Sequence, residues 1–103
     1  MKLILAAALL AASTTTQAAE QLDVCDAQAR LAEAVMQKRQ EGASLRHLIN
    51  HMKASKAGLD PLTELMLEDA FQQPRYQSPE YQQRAVTEYE NLWYVTCMGG
   101  NHD

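Results

Sequence analysis

Between residues 44 and 52 the chain reads SLRHLINHM. Leu45, Leu48, Ile49 and Met52 recur at i, i+3, i+4 and i+7 without a miss, the spacing of one helical face. The same period runs through most of the chain, and no stretch alternates apolar and polar residues as a half-buried strand would. The pattern predicts four helices, over about 23–41, 44–57, 60–72 and 78–98. In the first, Val24, Cys25, Leu31, Ala32, Val35 and Met36 share a face, and Gly42 follows as a stop. Ser44 caps the second, and Gly58 ends it. Asp60-Pro61 opens the third with a cap and a proline at the first helical position. Leu62, Leu65, Met66 and Ala70 form its stripe, with Leu67 and Phe71 at the margin. Pro74 bars continuation. Ser78-Pro79-Glu80 repeats the start signal, and the last helix gathers Tyr81, Ala85, Val86, Tyr89, Leu92, Trp93 and Cys97 on one broad face.

The first residues, MKLILAAALLAASTTTQAAEQ, break the amphipathic rule. A lysine precedes an apolar run from Leu3 to Ala12 that is too short to span a bilayer, and small residues follow. That is the layout of a secretory signal peptide over residues 1–18. Cleavage is expected after Ala18, or after Ala19. A single helical domain, 19–103, then remains in the periplasm or outside the cell. The formal net charge of −4 becomes −5 once Lys2 is removed, which argues against nucleic acid and anionic membrane surfaces as partners.

Export places Cys25 and Cys97, the only cysteines, in an oxidising compartment, where one intramolecular disulfide is expected. With no C-x-x-C, a thioredoxin-like redox role has no basis. Short connections favour up-and-down packing, and an even number of antiparallel helices brings the chain back to its starting end. The predicted fold is therefore an all-α, four-helix up-and-down bundle stapled between its first and last helices. The two long helices should form its spine.

Three segments, CDAQARLAEAVMQKRQEG (25–42), PRYQSPEYQQRAV (74–86) and NLWYVTC (91–97), resemble a group of small exported bacterial proteins, some phage-associated. These carry one cysteine at each end of a helical domain. The resemblance implies export and a one-disulfide helical build; it carries no activity and no catalytic residue.

No nucleophile–base pair, phosphate-binding loop or paired carboxylates stand out, and a four-helix chain of this size leaves little room for an enzyme pocket. No enzyme activity and no cofactor are predicted. Polar residues that fall among apolar ones are more informative. Arg39 and Asp69 lie on or near the apolar faces of the first and third helices, where burial without a partner is costly, so an Arg39–Asp69 pair is expected. Arg39, Gln40, Arg75, Tyr76 and Tyr94 form a candidate partner-binding patch, because Tyr and Arg are enriched at interface hot spots. The leading expectation is a non-enzymatic protein-binding module of inhibitor, immunity or chaperone type, monomeric or homodimeric. His47 and His51 stand at i, i+4, a spacing that lets two imidazoles share a metal. A divalent-metal-binding periplasmic protein is thus the alternative, and an accessory structural role in the envelope is a third.

Overall fold

The structure, a computed structural model, describes residues 2–99, with side chains from residue 19 onward. The predicted cleavage point after Ala18 falls within the backbone of α1, which runs on from the helix predicted over about 23–41, whereas the side chains of the leader and the tail containing His102 lie outside the described residues. Four helices follow one another: α1 (Lys2–Glu41), α2 (Leu45–Ala54), α3 (Pro61–Gln72) and α4 (Pro79–Gly99). Among the described residues there is no strand. The expected all-α bundle is the observed one.

The main seam joins α1 to α4. Cys25, Ala29, Ala32, Met36 and Gln40 are buried at intervals of three and four residues along α1. This is a continuous stripe down one side of the helix, and its two alanines let a neighbouring helix approach closely. From α4, Val86 and Tyr89 are buried, with Ala85 and Trp93 partly so. Cys25 and Cys97 are joined, their Cα atoms 5.5 Å apart, so the expected disulfide fastens the first helix to the last.

The third helix packs on α1 through Met66, Leu67 and Ala70. This differs from the stripe expected from the sequence, since Leu62 and Leu65 are exposed. The reason lies four residues beyond Leu65. Asp69 occupies the same helical side, and turning that side into the core would bury a carboxylate. The helix is rotated so that Met66, Leu67 and Ala70 enter the core. Asp69 is left at the margin, half-buried. Thr63 is buried too, and its hydroxyl donates to Asp60 Oδ2 at 3.1 Å. Val24, Tyr81 and Leu92, assigned to inner faces by the periodicity, are likewise exposed.

The start signals act as read. Ser44 Oγ accepts from the His47 N–H, and Asp60 Oδ1 accepts from the Thr63 N–H at 2.8 Å. The Thr63 hydrogen bonds hold the Asp60 carboxyl below the usual aspartate range. Gly42 ends α1 with φ +93°, so that the Ala43 N–H reaches back to the Lys38 carbonyl at 3.0 Å. This is the left-handed terminal turn that glycine adopts without steric cost.

Candidate functional site

The C-terminal ends of α1 and α3 meet, and two arginines close them reciprocally. Arg39, on α1, donates from Nε and Nη2 to the carbonyl of Gln73 at 3.2 and 3.0 Å. Arg75, just past α3, donates from Nε to the carbonyl of Gln40 at 2.9 Å. Each cation stands at the negative end of the other's helix, where orphan carbonyls and the helix dipole favour it. Between them the side-chain amide of Gln40, buried at 3% exposure, spans the loop. Its Nε2 donates to the Pro74 carbonyl at 2.8 Å, and its Oε1 accepts from the Tyr76 N–H at 2.9 Å. Gln82 then donates to the Tyr76 carbonyl at 2.8 Å. Both backbone polar groups of Tyr76 are thereby fixed by glutamines from two different helices.

The pinned loop forms one wall of a groove of about 510 Å³. Tyr76 and Tyr81 lean together at its mouth, ring centroids 6.1 Å apart and tilted by 39°. Arg84 places its guanidinium 5.3 Å from the Tyr81 centroid and pairs loosely with Glu80 at 3.8 Å. Leu92 and Glu88 continue the lining along α4, while Met36 and Tyr89 lie beneath. Tyr89 is anchored from below. Its hydroxyl lies 2.8 Å from the Met66 carbonyl and 3.0 Å from Asp69 Oδ2. Burial pushes the phenol well above the ordinary tyrosine range, and the adjacent carboxylate pushes the same way. The hydroxyl therefore stays protonated, as a donor between two acceptors. The Trp93 ring meets Tyr89 edge-on at 6.3 Å, and its indole N–H is buried with no acceptor among the described residues.

The structure corrects the expected Arg39–Asp69 pair. Arg39 is committed to the Gln73 carbonyl and lies 5.4 Å from the Phe71 ring centroid, whereas Asp69 takes the Tyr89 hydroxyl. Arg39 is taken up by the carbonyl just past the end of α3, and Asp69 by a hydroxyl from α4. Of the five patch residues, Arg39, Gln40, Arg75 and Tyr76 do come together, but the first three are spent on holding the loop. Gln40 offers no surface at all. Tyr76 and Arg75 are the exposed members of that cluster, and Tyr76 is the one whose side chain is not engaged in the clamp. Tyr94 is exposed as expected. Two residues beyond Leu92, however, it is turned about 160° away from the groove. Sequence reasoning missed Tyr81, Arg84, Glu88 and Leu92. The signal was present in the i, i+3, i+4 spacing of Tyr81, Arg84, Ala85, Glu88 and Leu92, which puts them on one side of α4.

His47 and His51 are exposed on α2. Among the described residues, no group of three or more His, Cys, Asp or Glu gathers as a metal site. No described helix is long and apolar enough to cross a membrane. Comparison with known proteins finds no family model that matches the chain, no similar curated protein and no similar solved structure.

Proposed function

We propose that this chain is a non-enzymatic, exported protein-binding module, and that the groove between α4 and the 73–78 loop is its contact surface. The observation that carries the reading is the fixed placement of an exposed aromatic and aliphatic rim. Tyr76, Tyr81 and Leu92 are 40%, 52% and 55% exposed, and they stand over a floor held by hydrogen bonds rather than over a soft loop. Side chains of this type, already ordered before binding, lose little conformational freedom when a partner's side chain enters. The disulfide supports an oxidising compartment, periplasmic or extracellular.

A peptide-display selection on the immobilised, oxidised protein tests the reading. Enriched peptides should compete with one another. They should lose binding to the Tyr76→Ala/Tyr81→Ala variant and keep it for Tyr94→Ala. Peptides that ignore the first variant, or no enrichment together with no capture from a periplasmic extract, would sink it. Alanine at Arg75 is a poor probe, because it removes half of the reciprocal clamp as well as a surface cation.

A further inference from the structure

The charge of the chain is unevenly distributed. Residues 42–58 contain Arg46, Lys53 and Lys56 and no Asp or Glu, while the rest of the described side chains carry a clear acidic excess. Net charge alone argues against attraction to an anionic surface; this segment has the opposite local sign. Its helix, α2, is also the least anchored of the four. None of its residues is buried. Its apolar stripe, Leu45, Leu48, Ile49 and Met52, packs against the core but stays only partly buried, and a shallow, open apolar pocket of about 140 Å³ lies between it and Leu31, Val35 and Leu67. Gly42 and Gly58, the two described residues with positive φ, bound the segment on either side. Arg46, Lys53 and Lys56 are exposed and make no ion pair among the described residues.

We propose that 42–58 is a docking element for an anionic lipid surface. There α2 lies in the interface, and Leu45, Leu48, Ile49 and Met52 exchange their partial cover in the bundle for the acyl chains. Arg46, Lys53 and Lys56 are then at the headgroups. The combination of an apolar stripe flanked by Arg46 and Lys53, with Lys56 just past the helix and no acidic residue in the segment, fits a lipid interface. An acidic protein partner would account for the cations but not for an apolar stripe of four residues that none of the bundle buries fully. The groove at α4 is not involved, so this inference and the proposed function stand or fall separately.

Co-sedimentation of the purified protein with phosphatidylglycerol vesicles and with phosphatidylcholine vesicles, at low and high salt, is the test. Binding is expected to the anionic vesicles only, and to weaken with salt. The Arg46→Glu/Lys53→Glu/Lys56→Glu variant should reduce partitioning by more than about a hundredfold, since loss of each cation alone is worth roughly fivefold and the new carboxylates repel the surface. Ile49→Ser keeps the charge and should also weaken it, whereas Tyr76→Ala/Tyr81→Ala should leave it unchanged. Absence of binding to anionic vesicles overturns the proposal, and so does binding that survives the charge reversal or that ignores Ile49→Ser in a variant shown to be folded. Self-association in vesicle-free sedimentation runs, abolished by the same charge reversal, would overturn it in favour of a second copy as the occupant of the basic face.

Discussion

Gln40 shows how one buried side chain can govern an exposed one. Its amide gives up solvent to hold Pro74 and Tyr76, and alanine there would leave two backbone groups without their partner. Gln40→Ala is expected to lower stability by about 2 kcal/mol, measured by urea denaturation. It should also weaken peptide capture by the groove, although Gln40 never touches the groove's occupant; full-strength capture would show that Tyr76 holds its place without it. Tyr89 supplies a pH-dependent counterpart. Its folded pKa is raised, so its contribution is complete below the unfolded tyrosine value, about 10, and is lost as the pH climbs above that toward the folded value. Tyr89→Phe should cost about 1–2 kcal/mol at neutral pH and flatten the alkaline loss of stability. An unchanged alkaline profile in this variant would exclude Tyr89 as its source. The sequence put Arg39, Gln40 and Arg75 in an exposed partner-binding patch; that they cluster was legible, but that they would be spent on closing helix ends, with Gln40 buried, was not. Which carbonyl each would find was not, because it depends on two helix ends meeting in space. The Arg39–Asp69 expectation paired the only obvious charges and overlooked uncharged acceptors.

At the level of helices, the connections carry more information than the stripes do. Each glycine at positive φ ends a segment. A methyl group on residue 42 would stand 3.2 Å from Arg75 Nη2, whereas one on residue 58 would meet nothing within 4 Å. Both alanine variants incur the left-handed strain of about 1 kcal/mol. Gly42→Ala should lower the urea midpoint further than Gly58→Ala, because it also displaces the guanidinium that caps α1; the reverse order would mean that the clamp yields freely. Start signals were readable because Ser44, Asp60 and Ser78 act within one turn of themselves. Helix existence was readable because period and punctuation agree. The rotation of α3 was not, since Leu62 and Leu65 look as apolar as Met66 and Leu67 until the fate of Asp69 is known.

For the molecule as a whole, the disulfide joins residues separated by 72 positions, and closing so long a loop is worth about 4 kcal/mol in the chain-entropy model. Reduction, or the Cys25→Ser/Cys97→Ser variant, should move the urea midpoint down by a corresponding amount. Hydrogen exchange should quicken first in the last turns of α4, which have lost their tether, while the Gln40 end keeps its protection. An unmoved midpoint would mean that the reduced chain retains the closure by packing alone. The position of the bond has a mechanical consequence as well. Tension entering the bundle at Cys25 and leaving at Cys97 crosses two Cα atoms 5.5 Å apart and runs through sulfur. The helices between them are off the load path, and a thiol reagent would put them back on it.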